Sequence, residues 1–354
     1  MENEPLKIGI TQGDPNGVGM ELILRMFQSE MMFKYATPVV YASPGTFSYY
    51  KKTLGLDQPS YNLVSSAKEA VAGKLNLVVG SDDKVEISIG NASADGGKQA
   101  LECLQKALQD SENYDALVTA PLDKSTVADH ETGFTGHTGY IANFFGIDNY
   151  CMFLVSEELK SALVTEHLAV SEIAQHLSTD KIINKVHVVY NSLREDFNIL
   201  KPRIAVLGLN PHAGDNGLLG KEEQTIIQPA VQQLFDQEKL VFGPYSADSF
   251  FGSGQYKQFD AVVAMYHDQG LIPFKSMAFY EGVNYTAGLP IIRTSPDHGT
   301  AYSLAGKGTA DLQSMRNAYF EAIHIVKNRR QFYTDFENPL PFAELRRERF
   351  RIDF

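Results

Sequence analysis

Apolar residues in this chain cluster in two alternating ways. Short uninterrupted runs, each closed by glycine, proline, asparagine or another polar residue, recur as KIGIT (7–11), TPVVYAS (37–43), DALVTAP (115–121), YCMFLVS (150–156), SALVT (161–165), RIAVLGLNP (203–211) and DAVVAMYH (260–267). Between them apolar positions return every three or four residues, as in GMELILRMFQSE, DGGKQALECLQKALQD and KEEQTIIQPAVQQLFDQ. The first pattern predicts strands covered on both faces, and the second predicts amphipathic helices. Strands alternating with helices predict an α/β fold of mostly parallel sheets covered by helices. A glycine-rich segment with Gly299, Gly306 and Gly308 follows LPIIRTSPDHGT, and a long helical pattern then runs to about Arg330.

At 354 residues the chain exceeds what one core usually serves, so two domains or one large α/β unit is expected. Its net charge of −12 argues against a nucleic-acid surface while leaving room for a local cationic pocket. The opening MENEPLKIGI lacks the basic start of a secretory signal, and no apolar run reaches the length of a membrane span. Cys103 and Cys151 are the chain's two cysteines and have no CxxC spacing, which fits a reducing, cytoplasmic setting.

Polar residues gather where the strands end, and in open α/β sheets ligands bind beyond the carboxyl ends of strands. SALVT runs into Glu166-His167, RIAVLGLNP into His212, and DAVVAMY into His267-Asp268. Three imidazoles at equivalent strand ends suit a catalytic divalent cation with an open position, of the kind taken by Zn²⁺ and its first-row neighbours. The turn GDPNGVG precedes a helix whose first N–H groups are expected to favour an anion, although neither a dinucleotide GxGxxG nor a Walker lysine-serine pair is present. His137 and Thr138 lie in a glycine-flanked loop, Lys124 near a strand end, and Asn284 and Arg293 in GVNYTAGLPIIRTS. With Lys275, reached from His267 through a turn shaped by Gly270 and Pro273, His137, Thr138 and Arg293 could bind a phosphate by charge and hydroxyl donors.

The blocks GDPNGVG, TAPLDK, FTGHT, GLNPHAG, SADSFF, YHDQGLIPFK and GVNYTAGLPIIRTSPDHGTA, in that order from about residue 6 to 330, closely resemble the 4-hydroxythreonine-4-phosphate dehydrogenase family of pyridoxal phosphate biosynthesis. DHGTAYSLAGKG also looks like the adenosine-binding loop of the isopropylmalate and isocitrate dehydrogenases. The resemblance implies their two-domain fold, with the active site in the cleft between a cofactor side (1–133 plus 295–354) and a substrate, metal and dimerisation side (134–294). It implies NAD, with NADP possible, along His298, Gly299, Thr300 and Gly306, and a divalent metal (Zn, Mg, Co or Mn) on His167, His212 and His267. Substrate contacts would come from His137, Thr138, Lys275, Asn284 and Arg293, with Asp248 as acid/base. The metal ligands of that family come from both subunits, which implies a homodimer. The implied reaction oxidises and decarboxylates 4-phosphooxy-L-threonine to 3-amino-2-oxopropyl phosphate; the alternative is a paralogue acting on another four-carbon phosphate, such as D-erythronate or D-threonate 4-phosphate. The chain departs from the family pattern at Met20, at Gly139, where glutamate is expected, and at Tyr302-Ser303.

Overall fold

The structure is a computed structural model and describes residues 5–82, 84–127, 134 and 136–338. Among these residues lie the strands β1 (Lys7–Thr11), β2 (Thr37–Ala42), β3 (Tyr61–Val64), β4 (Leu75–Val79), β5 (Ala116–Thr119), β6 (Cys151–Val155), β7 (Lys160–Leu163), β8 (Arg203–Leu207), β9 (Leu240–Tyr245), β10 (Ala261–Ala264), β11 (Val283–Ala287) and β12 (Ile292–Pro296). The helices are α1 (Gly19–Met26), α2 (Pro44–Thr53), α3 (Ala94–Gln109), α4 (Lys124–Val127), α5 (His137–Phe144), α6 (Thr179–Glu195), α7 (Gln228–Asp236), α8 (Ala247–Gly252), α9 (His267–Ala278) and α10 (Gln313–Phe336). All the strands join one sheet in the order β3-β4-β2-β1-β5-β12-β11-β6-β7-β10-β8-β9.

The sheet is mostly parallel, as the apolar patterning predicts, but its two halves run in opposite directions across an antiparallel seam. Strands β3, β4, β2, β1, β5 and β12 run one way. Strands β7, β10, β8 and β9 run the other way. The antiparallel pairings β12·β11, β11·β6 and β6·β7 form the seam between them.

Packing differs on the two faces. On one face a single apolar core runs across the seam, taking in Ile10, Val118, Tyr285, Ile204 and Ile323. On the other face the core is divided: one part holds Tyr41, Leu104, Leu117 and Ile141, the second Leu154, Leu163, Leu207, Phe250 and Phe274. The reason lies in the alternation of the seam strands. Val283, Tyr285, Ala287 and Ile292 enter the continuous core, which turns Asn284, Thr286, Arg293 and Ser295 toward the divided face. A polar strip therefore replaces apolar packing between the two half-cores.

Several expectations are corrected here. Residues 150–165, expected as two strands of a mostly parallel sheet, form an antiparallel β6–β7 pair. Gly270 and Pro273 do not make a turn: both lie inside α9, where Gly270, Leu271, Phe274 and Ala278 form a buried face at helical spacing. A Cβ on Gly270 would lie 2.7 Å from Ser161 Oγ and from Leu163 Cδ2, so glycine permits the helix to sit against β7. Lys275 accordingly projects from a helix. The tail from residue 339 lies outside the described residues.

Candidate active site

A cleft of about 400 Å³ opens on the divided face, over the seam. Thr119 ends β5, Ser295 and Pro296 end β12, and Glu166 and His167 follow β7, so both halves of the sheet deliver strand ends to it. Arg293 is at its base and only 2% exposed. Its Nε and Nη2 donate to Thr119 Oγ1 at 3.0 and 2.6 Å, and Nη1 donates to Thr286 Oγ1 at 3.1 Å and Thr138 Oγ1 at 3.5 Å. Among the described residues no carboxylate pairs with it, and burial pulls its pKa down to about 9. A buried charge lacking a counter-charge costs several kcal/mol, on the order of what breaking a buried pair costs. An arrangement that retains one is suited to an anionic ligand.

Further cations stand around the cleft. The first turn of α5 presents Gly136, His137, Thr138 and Gly139 to the cleft, with Lys124 alongside. Burial, reinforced by Arg293 and Lys124, drives the pKa of His137 down to about 3, so the imidazole there is neutral. Lys275 reaches the cleft from α9 and pairs with Asp297 at 3.4 Å. Burial raises the Asp297 pKa, and Lys275 opposes that rise. Two buried atoms around the cleft make no hydrogen bond among the described residues: Asn284 Oδ1 and His298 Nε2. Such atoms are costly unless a polar ligand meets them. Of the expected substrate contacts, His137, Thr138, Lys275, Asn284 and Arg293 thus share one cleft. Thr119, Thr286 and Asp297 were missed. The alternation V-N-Y-T-A in β11 is the signal that would have found Thr286, since Asn284 and Thr286 share a face.

The three histidines follow three strands that are neighbours in the sheet, β7, β10 and β8. The His167 and His267 rings lie 5.9 Å apart. His267 Nδ1 is 2.7 Å from Asp268 Oδ1, which orients the ring and leaves Nε2 for a ligand. His212 is exposed, in a left-handed turn over residues 212–216 with φ between 42° and 81°. Glu223, a buried carboxylate not foreseen from sequence, holds the start of that turn by accepting from the N–H groups of Leu209 and Asn210, each at 2.7 Å. Among the described residues no three His, Cys, Asp or Glu side chains are close enough to hold a metal. The chain brings His167 and His267 together, and His212 does not join them. Asp248, also exposed, opens α8, which packs on the turn carrying His212. Ser246 Oγ donates to Asp248 Oδ1 at 2.6 Å and holds this carboxyl below its ordinary range. Asp248 is not among the residues lining the cleft.

The expected cofactor loop begins at the cleft rim, where His298 and Gly299 line it, while Thr300 and Gly306 lie beyond. The GDPNGVG turn does not offer its N–H groups to an anion, as expected from the sequence; it is buried and packs on this loop. Val18 N–H donates to Thr300 O at 2.9 Å, and Tyr302 OH donates to Asp14 Oδ2 at 2.7 Å. A Cβ on Gly17 would lie 2.9 Å from Thr300 O, so the two segments are flush.

Fold and cleft together define an α/β protein with a cationic small-molecule site at a strand-direction switch. Comparison with known proteins sharpens this. The profile of the family described as pyridoxal phosphate biosynthetic protein PdxA matches residues 34–322. The 4-hydroxythreonine-4-phosphate dehydrogenase of Bacteroides thetaiotaomicron is 46% identical over 343 residues, 96% of this chain and 94% of that one. The enzyme of that name from Sulfurihydrogenibium is 39% identical over 92% of this chain and all of its own length. The crystal structure of 4-hydroxythreonine-4-phosphate dehydrogenase from Klebsiella pneumoniae superimposes with a TM-score of 0.81 at 34% identity, covering 92% of this chain and 99% of that one. The chain belongs to the PdxA family of pyridoxal phosphate biosynthesis and is an oxidoreductase of that family.

Proposed function

We propose that this chain oxidises and decarboxylates 4-phosphooxy-L-threonine to 3-amino-2-oxopropyl phosphate with NAD as hydride acceptor. The observation carrying this reading is Arg293, a buried guanidinium held only by threonine hydroxyls at the base of a cleft rimmed by unpartnered polar atoms. Arg293, Thr138 and the first N–H groups of α5 bind the phosphate ester; Lys275 adds positive charge, and Asn284 Oδ1 accepts from the substrate. Holding the phosphate fixes the distance of C3 from His298 and Gly299, converting binding into orientation. Asp248, kept ionised by Ser246, accepts the proton of the C3 hydroxyl. His298, Gly299, Thr300 and Gly306 would hold the nicotinamide, which would supply a hydride acceptor, and His167, His212 and His267 would hold a divalent cation (Zn, Mg, Co or Mn), which would supply Lewis-acid chemistry. The 2-amino-3-oxo acid phosphate then loses C1 as CO₂ and takes up a proton at C2.

The donor set suits such a cation: three imidazoles, one with its second nitrogen already oriented by a carboxylate. His212 and Asp248 are exposed outside the cleft, so this reading has a homodimer supply the missing groups across a subunit boundary. It assigns residues 1–133 with 295–354 to the cofactor side and 134–294 to the substrate side. This reading places the enzyme in the cytoplasm; among the described residues no helix is long and apolar enough to cross a membrane. The test is reduced-nicotinamide formation from 4-phosphooxy-L-threonine, with and without chelator, by the native chain and by Arg293→Ala. The native enzyme should turn over and stop on chelation, and Arg293→Ala should raise KM about 100-fold or more, as expected for a lost charge-assisted contact. An equal proportional loss with the dephospho substrate would refute the phosphate assignment.

A further inference from the structure

The charges lining the cleft do not balance, and the imbalance has a shape. Asp297 already has a counter-charge in Lys275 at 3.4 Å. Arg293 and Lys124 have no ion-pair partner among the described residues, and neither has Glu166, a half-buried carboxylate that follows β7 and also faces the cleft. The fields of Lys181 and His167 reach Glu166, but neither group lies within ion-pair distance of it. A cleft lined by two cations and one anion, none of them ion-paired among the described residues, is complementary to a zwitterion with excess negative charge, not to a simple polyanion.

We propose that Glu166 is a specificity-determining residue that pairs with the ammonium group of the substrate and so selects an amino-acid phosphate over a hydroxy-acid phosphate. This rests on the reading of the cleft as a site for a phosphorylated four-carbon acid. The candidate substrates differ at C2, where one carries an ammonium and the other a hydroxyl. Against the ammonium, Glu166 makes a charge-assisted hydrogen bond. Against the hydroxyl, the same carboxylate makes at most a neutral one and adds repulsion toward the carboxylate at C1. Discrimination then comes both from an attraction and from a penalty against the wrong ligand.

The test measures kcat/KM for 4-phosphooxy-L-threonine and for its 2-hydroxy counterpart of the same configuration, on the native enzyme, Glu166→Gln and Glu166→Asp. The quantity read is the ratio of the two values. Both compounds use the same phosphate pocket, the same cation and the same cofactor. Damage to any of these, or partial unfolding, lowers both values and leaves the ratio unmoved. Glu166→Gln should cut the ratio about 10- to 100-fold, the range for losing one charge-assisted hydrogen bond. Most of that should appear in KM for the amino substrate, and Glu166→Asp should retain an intermediate ratio. A Glu166→Gln ratio within twofold of the native one overturns the assignment even if the native enzyme prefers the amino substrate. A native enzyme that prefers the hydroxy acid overturns the substrate reading itself, and with it this proposal; that failure shows in the native enzyme alone.

Discussion

His137 shows how a single residue in this cleft couples to pH. In the unfolded chain its imidazole titrates near the ordinary 6.5, whereas in the fold burial and the nearby Arg293 and Lys124 depress it to about 3. The folded state therefore resists a proton that the unfolded state accepts. Between pH 6.5 and 3 the unfolded chain binds more protons, so this group makes stability fall as pH falls through that window and contributes nothing above it. Replacing His137 with Gln should flatten the acid side of the stability profile, read as a smaller loss of denaturation midpoint between pH 7 and pH 5 than in the native chain. Parallel profiles would mean that His137 is not held neutral. Arg293 belongs to the same physics: its charge is retained by hydroxyls alone, which makes its environment dependent on what enters the cleft.

The element that most tightly ties sequence to site is the pair of segments 12–18 and 297–302. Gly17 touches Thr300, Val18 N–H bonds Thr300 O, and Tyr302 reaches Asp14, so the loop at the cleft rim takes its position from the turn beneath it. Gly17→Ala puts a methyl about 2.9 Å from Thr300 O, closer than real contacts allow, and the backbone must move. Such overpacking costs roughly 1–3 kcal/mol. If the loop carries the cofactor, KM for the nicotinamide should rise about tenfold, the lower part of that range, with a smaller change for the phosphorylated substrate. Equal shifts in both constants would show that the loop does not report on the cofactor. The departure at Tyr302 fits this frame, because its hydroxyl supplies one of the bonds that dock the loop.

At the scale of the whole molecule, a buried network holds the two sheet directions in one piece. Asp196, at the end of α6, accepts from Arg329 of α10 at 2.7 Å, from Ser192 at 2.7 Å and from Tyr285 of β11 at 2.6 Å. Tyr285 sits on β11 between Asn284 and Thr286, so this network braces the seam from the face opposite the cleft. Asp196→Ala leaves the largely buried Arg329 guanidinium without its counter-charge and the buried Tyr285 hydroxyl without its acceptor, and should destabilise by about 3 kcal/mol or more, seen as a lower denaturant midpoint. An unchanged midpoint would mean that the continuous core alone holds the seam. The sequence alone determined the α/β class, most strand positions, five polar residues that share the cleft and the family, because these rest on local periodicity and on short contiguous blocks. It missed the reversal at β12–β11–β6–β7, the helix through Pro273, and the partners Thr119, Thr286, Glu223 and Asp297. Arg293 meets Thr119 across 174 positions, a pairing that leaves no periodic trace, and the others, nearer in sequence, depend on how the segments pack. Tertiary structure alone decided that two half-cores stop short of each other and leave a polar strip between them, because the divided face exists only once the whole sheet has formed.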